Sequence, residues 1–88
     1  MSESQPAPSS DITDAVSFII ETVATLLAQR WGVRLGKVLR ALSSPDALDV
    51  TTARYLLALG SGLSPAAAAS AVGRALMSEA DAHPERIA

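Results

Sequence analysis

The fold of this chain is decided by residues 51–77, which read TTARYLLALGSGLSPAAAASAVGRALM. A helix-forming run leads to Gly60 and Gly62, and glycine readily adopts the left-handed conformation in which many helices end. Ser64 and Pro65 then form a helix start, with a capping hydroxyl before a proline at the first helical position. Alanine is the strongest helix former, so a second helix is expected after this proline. The segment therefore predicts a helical hairpin.

A long apolar helix is predicted upstream of the hairpin, from Ser10 or Asp11 to about Arg30. Its apolar side chains recur at steps of three and four between Ile12 and Leu26, which is the period of one helical face. Further apolar residues widen that face until only a thin polar strip remains for water. Such a helix has to be covered on most sides, either within the domain or by a second subunit.

A shorter helix is predicted at residues 33–42, after a break at Gly32. Its helical spacing gives a buried stripe of four residues: Leu35, Val38, Leu39 and Leu42. Gly36 weakens a helix, which suggests that a neighbouring helix approaches closely at this position.

The third helix has two start signals. Ser44 and Pro45 form the first, and we expect a single turn at 45–48. Asp49 or Thr51 is then expected to cap the helix that leads into the hairpin. The side chains predicted to face inward from that helix are Ala53, Leu56, Leu57 and Val50.

The predicted fold is therefore all-α, a compact bundle or orthogonal array of about four helices with a disordered N-terminal tail. We expect a flexible tail at residues 1–9, one helical domain at 10–82 and a frayed end at 83–88. The tail is rich in Ser, Pro, Gln and Glu, which bury too little apolar surface to offset the entropy of ordering.

The composition argues against catalytic, metal and cofactor sites. The chain has no cysteine and a single histidine, His83, which lies beside a proline in the expected frayed end. A catalytic histidine has to be held and oriented by its neighbours, so we predict no catalytic residues and no enzyme. No calcium-binding spacing and no phosphate-binding glycine loop is present, so we predict neither a metal nor a cofactor.

The absence of cysteine is typical of a cytoplasmic protein. The first residues show no basic stretch followed by an apolar one, so we expect no secretory signal. No run reaches the roughly 20 apolar residues of a membrane span. The most apolar helix has an acidic polar strip, and we predict no membrane binding.

The hairpin resembles the helix-turn-helix pattern of DNA-binding proteins at Ala58, Gly62 and Leu63. Bases are read by Arg, Lys, Asn, Gln, Ser or Thr near the start of the second helix. Here that start is Pro65 followed by four alanines, and Ser61 departs from the pattern because an apolar residue is expected there. We therefore interpret the segment as an ordinary helical hairpin.

Charge is distributed unevenly along the chain, although the net charge is only −2. Residues 1–29 contain acidic side chains and no basic one, whereas the next segment is basic. The candidate basic patch for a partner comprises Arg30, Arg34, Lys37 and Arg40. We interpret this patch first as the solvated face of an amphipathic helix. If it does bind a partner, we favour a protein partner over a nucleic acid. The alternative function is a nucleic-acid-binding regulator with a helix-turn-helix-like hairpin and this basic helix, Arg30–Arg40.

The favoured function is a small non-catalytic protein–protein interaction module, an adaptor, inhibitor or assembly subunit that acts through apolar helix surfaces. The sequence offers more apolar helix surface than a domain of this size easily buries, so we expect a homodimer. The candidate helix-packing or self-association surface comprises Val16, Ile19, Ile20, Val23, Leu27, Trp31, Ala69, Val72, Gly73 and Leu76.

Overall fold

The structure is a computed structural model that describes the backbone of residues 8–86 and the side chains of residues 11–85. These residues form four α-helices: α1 (Pro8–Trp31), α2 (Leu35–Leu42), α3 (Pro45–Gly60) and α4 (Pro65–Ala82). No strand occurs in the described ranges, so the predicted all-α fold is confirmed.

The predicted tail and the predicted frayed end are described only in part. Helix α1 begins at Pro8, so the last two residues of the predicted tail are helical, and residues 1–7 lie outside the described part. A single 3₁₀ turn, Pro84–Arg86, lies within the predicted frayed end, of which residues 87 and 88 are not described.

Two glycines end helices as the sequence predicts. Gly32 has a φ of +67° and Gly62 a φ of +99°, both in the left-handed region. After the second of these, the amide of Leu63 donates to the carbonyl oxygen of Ala58 at 3.2 Å, which satisfies a carbonyl at the end of α3. Gly60 is instead the last residue of α3, so only one glycine of the pair forms the turn.

Serine caps start both helices of the hairpin. The hydroxyl of Ser44 accepts a hydrogen bond from the amide of Ala47 at 3.3 Å, and that of Ser64 accepts one from the amide of Ala67 at 3.2 Å. A proline occupies the first turn after each serine. Because the first cap is effective, α3 is continuous from Pro45, and the predicted second start at Asp49 or Thr51 is wrong.

The core is built around α1, which contacts each of the other three helices. Val23 of α1 lies opposite Gly73 of α4, and Arg30 binds Asp81 further along both helices. Because the second contact lies closer to the C-terminal end of both helices than the first, α1 and α4 run side by side in the same direction. The buried residues are Val16, Ile19, Ile20, Val23, Ala24, Leu27, Val38, Leu42, Thr51, Tyr55, Ala68, Val72, Leu76 and Ala80.

Helix α3 packs through a different face from the one predicted. Thr51 and Tyr55 are buried, whereas the four residues expected to face inward are exposed: Val50, Ala53, Leu56 and Leu57. Apolar residues occur on both sides of this helix, so its periodicity does not distinguish the two faces. The inward choice is made by contacts with α1 and α4, which are distant in sequence.

Helix α2 is shorter than predicted, since it begins at Leu35. Val38 and Leu42 are buried and Leu39 is partly buried, which confirms most of its apolar stripe, but Leu35 is 43% exposed. Gly36 is also exposed, and a Cβ atom added there would meet no atom within 4 Å. The predicted close approach at this glycine is therefore wrong.

Replacement of Leu27 by alanine tests this core. Leu27 is fully buried, so Leu27→Ala should lower the free energy of unfolding by about 2–5 kcal/mol, through lost burial and the cavity left behind. Leu57→Ala is the matched control, because Leu57 is 72% exposed and its loss should cost no more than about 0.5 kcal/mol. Urea unfolding at one protein concentration measures both, and equal losses would contradict the orientation of α3.

Candidate interaction surfaces

The principal candidate site is a groove between α1 and α4, which we call the α1/α4 groove. Its volume is about 250 Å³ and its lining is mostly apolar. The lining residues are Phe18, Ile19, Thr22, Val23, Leu26, Ala69, Ser70, Gly73, Arg74 and Met77.

Two large apolar side chains of α1 border this groove and remain accessible to water. Phe18 is 66% exposed and Leu26 is 48% exposed. They are two turns apart on one side of the helix, with Thr22 between them. Exposed apolar side chains are common singly, but a cluster that borders an apolar depression is typical of an interaction site.

Small side chains on α4 form the other wall of the groove. A Cβ atom added at Gly73 would lie 3.7 Å from Cγ2 of Val23, an ordinary van der Waals distance. Alanine would therefore fit at this position, and the helix approach does not depend on glycine. The exposed Arg74 places a positive charge at the edge of the groove.

The predicted helix-packing or self-association surface lies largely inside the chain. Seven of its ten residues are buried by other helices: Val16, Ile19, Ile20, Val23, Leu27, Val72 and Leu76. Trp31, Ala69 and Gly73 are partly buried. In the isolated chain these residues pack the helices together. On α1, the accessible apolar surface is formed instead by their neighbours Phe18 and Leu26.

The sequence contained a signal for these two residues. Apolar side chains cover more than half of the circumference of α1, and the rest of an 88-residue chain cannot cover that much of one helix. The periodicity from Ile12 to Leu26 correctly placed Val16, Ile19 and Val23 on the buried face, but it also placed Leu26 there, and Leu26 is exposed. The buried face includes Leu27 instead. Phe18 and Leu26 lie beyond its edge.

The predicted basic patch is divided by the fold. Arg30 donates from Nη1 to Oδ2 of Asp81 at 2.6 Å, so it joins the end of α1 to the end of α4. Arg34, Lys37 and Arg40 are exposed, and no salt bridge to a described residue involves them. The unpaired cations therefore lie on and just before α2, near the end of α1.

A second groove of about 450 Å³ lies where the end of α2, the start of α3 and the end of α4 meet. Glu79 lines this groove and accepts a hydrogen bond from Nη2 of Arg54. That hydrogen bond raises the pKa of Arg54 above its usual value, while burial acts in the opposite direction. The pair joins α3 to α4 well away from their connecting loop, which requires the two helices to run side by side.

This hairpin geometry bears on the helix-turn-helix resemblance, because helices of that motif cross at about 90–120°. The side-by-side arrangement of α3 and α4 differs from such a crossing. The first side chains of α4 after Pro65 are Ala66 and Ala67, which are exposed and carry no polar group. The hairpin therefore presents no base-reading side chain at the start of its second helix.

Thr51 is a buried polar residue beside the second groove. It is 1% exposed, and its Oγ1 has no hydrogen-bond partner among the described residues. A buried hydroxyl without a partner destabilises the folded state by about 1–3 kcal/mol. Nη1 of Arg54, one helical turn further along α3, is likewise buried without a partner there. Neither atom is accessible to a molecule in the groove.

The outward side of α3 is a third exposed surface. Leu57 is 72% exposed, Val50 47% and Leu56 45%. Leu63, in the loop that follows, is 42% exposed. Val50 lines the second groove, whereas Leu56, Leu57 and Leu63 line neither of the two grooves.

The described residues offer neither a metal-binding cluster nor a membrane-spanning helix. No cluster of three or more His, Cys, Asp and Glu residues there is placed to hold a metal ion. Nδ1 of His83 lies 3.4 Å from a carboxylate oxygen of Glu85, and both side chains are largely exposed. Within residues 8–86, no helix is both long and apolar enough to cross a membrane.

Comparison with known proteins adds no functional assignment. No protein-family model, curated protein or solved structure matches this chain.

Replacement of Thr51 by valine tests the unpartnered hydroxyl. Valine has nearly the same shape and no polar atom, so Thr51→Val should raise the free energy of unfolding by roughly 1 kcal/mol. Thr52→Val is the control, since the neighbouring Thr52 is only partly buried and should change stability less. A loss of stability in Thr51→Val, measured by thermal and urea unfolding, would show that the hydroxyl has a partner.

Proposed function

We propose that this chain is a small cytoplasmic, non-catalytic protein–protein interaction module that self-associates as a homodimer through the α1/α4 groove. The observation that carries the proposal is Phe18, a large aromatic side chain that is 66% exposed at the border of an apolar groove. Aromatic residues in this situation are the usual anchors of protein interfaces.

The dimensions of the groove support an aromatic occupant. A cavity of about 150 Å³ is enough to hold a benzene molecule. The α1/α4 groove, at about 250 Å³, therefore has room for one phenyl ring. In a twofold dimer the same patch meets itself, so each copy offers both a phenyl ring and a groove.

The size of the domain gives a second reason for self-association. A chain of 88 residues buries only about 60% of the surface of its unfolded state. Covering Phe18 and Leu26 with a second copy removes further apolar area from water, and this stabilises the folded chain as well as the dimer.

Phe18→Glu tests the proposal. A carboxylate cannot be buried in an apolar groove without a partner, so the dimer dissociation constant should rise at least about 30-fold. The matched control is Leu57→Glu, which places the same charge on a comparably exposed apolar residue outside the groove. Light scattering and sedimentation at protein concentrations on the order of 50 µM give the mass of each variant.

The proposal requires wild-type chain and Leu57→Glu to be dimers and Phe18→Glu to be a monomer that keeps its helical circular dichroism. Wild-type chain that stays monomeric at this concentration contradicts the proposal. Equal dissociation of the two variants places the interface elsewhere.

The second candidate function is nucleic-acid binding, favoured by the exposed and unpaired Arg34, Lys37 and Arg40 of the described part. Three cations support weak binding that falls steeply with salt. The acidic face of α1 opposes it, because Asp11, Asp14 and Glu21 repel phosphates.

A gel-shift titration at low and moderate salt separates the two functions. We expect binding to be weak at low salt and lost at moderate salt, because few phosphates would be contacted. Binding that survives moderate salt, and that Arg34→Glu with Lys37→Glu weakens, would favour the nucleic-acid function. Arg74→Glu is the control, since it removes a cation on α4 outside this group.

A further inference from the structure

One row of side chains on α1 has an unusual order of charges. Residues at steps of four lie along a single ridge of a helix. Five such residues of α1 are exposed: Asp14, Phe18, Thr22, Leu26 and Arg30. The row reads acidic, apolar, small and polar, apolar, basic. On either side of Thr22 the row has first an apolar residue and then a charged one, and the two charged residues have opposite signs.

We propose that two copies of this chain pair through this row, with antiparallel α1 helices and a twofold axis at Thr22. The inference rests on the homodimer proposed above and specifies its geometry. In this arrangement Phe18 lies against Leu26 of the partner subunit, and Asp14 lies against Arg30 of the partner subunit. Both contacts occur twice, because the axis repeats each of them.

Charge selects the antiparallel orientation over the parallel one. Parallel helices in register would bring the two Asp14 side chains together and the two Arg30 side chains together. The antiparallel pair replaces both repulsions with attractions. Neighbouring charges extend the pattern, since Asp11 adds to the acidic end and Arg34 follows the basic end.

The geometry of helix packing allows residues along this row to face the same row of the partner helix. When ridges of four-residue spacing from two helices pack together, the axes cross at about 50° and the ridges lie alongside each other. The five residues span 16 steps of the helix, which is about 24 Å at 1.5 Å per residue. Because helices that cross at this angle diverge away from the axis, the apolar pair meets near the axis and the long side chain of Arg30 has to span the wider gap to Asp14.

Arg30 can make the intermolecular contact without losing its own. One nitrogen, Nη1, binds Asp81 of α4, and the side chain is still 53% exposed. A guanidinium group has five N–H donors, so a second carboxylate can bind from the open side. Asp14 is exposed and has no ion pair with a described residue.

The proposed pairing also places an aromatic side chain, Phe18 of the partner subunit, beside the α1/α4 groove. Leu26 lines that groove together with Met77. Phe18 of the partner subunit, placed against Leu26, therefore lies at the border of this groove. The same arrangement explains why both apolar residues of the row are left uncovered within one chain.

Cross-linking tests the position of the axis. The chain has no cysteine, so Thr22→Cys introduces a single thiol, which would face the same thiol of the partner subunit across the axis. A disulfide needs Cβ atoms about 3.8 Å apart. Under mild oxidation, Thr22→Cys should form a covalent dimer at least 10-fold faster than Ser17→Cys, an exposed control away from the row.

A dimer in which Thr22→Cys cross-links no faster than Ser17→Cys overturns this geometry and leaves the proposed homodimer in place. A wild-type chain that is monomeric overturns both. The two failures are therefore distinguishable by combining light scattering with the cross-linking rates.

Charge exchange tests the pairing independently. Asp14→Arg alone and Arg30→Glu alone each put like charges together twice in a homodimer. Each dissociation constant should rise roughly 2- to 30-fold, whereas an equimolar mixture should recover tight association as a heterodimer. Glu21→Arg is the matched control, because it makes the same charge change on α1 outside the row.

Recovery in the mixture supports the pairing of Asp14 with Arg30 of the partner subunit. Failure of the mixture to recover, or an equal effect of Glu21→Arg, overturns it. Circular dichroism of each variant identifies a loss of folding, which matters most for Arg30→Glu because Asp81 is its neighbour.

Discussion

Burial of one face of α1 is the constraint on which the rest of the structure depends. Ala24 and Leu27 are completely inaccessible to water, and α1 is in contact with all three other helices. Three helices can surround only part of a fourth in a chain of this length. The opposite face of α1 therefore stays exposed whatever its sequence, and the residues on it are available for contacts outside the chain.

The helix ends were predictable because their signals are local. A serine before a proline, as at Ser44 and Ser64, satisfies an amide of the first turn wherever it occurs, and glycine at Gly32 and Gly62 adopts a φ that other residues avoid. These interactions involve residues a few positions apart. They need no knowledge of the rest of the fold.

The orientation of α3 and the candidate site were not predictable in the same way. Helix α3 has apolar residues on both sides, and the choice of Tyr55 over Leu57 for the core depends on the position of α1 and α4. Likewise, the period of α1 locates the centre of its buried face but not its edge. Val23 and Leu26 belong to the same predicted face, and only the packed helices show that Val23 is buried and Leu26 is exposed.

The alanine-rich start of α4 contributes both to the predicted hairpin and to the groove beside α1. Ala68 is fully buried in the core, and the small residues Ala69 and Gly73 line the α1/α4 groove without filling it. Larger side chains at these two positions would occupy part of the groove. The small side chains of α4 therefore do more than favour a helix, because they leave an apolar groove open beside Phe18. The segment that determines the hairpin also determines that an apolar groove remains open along α1.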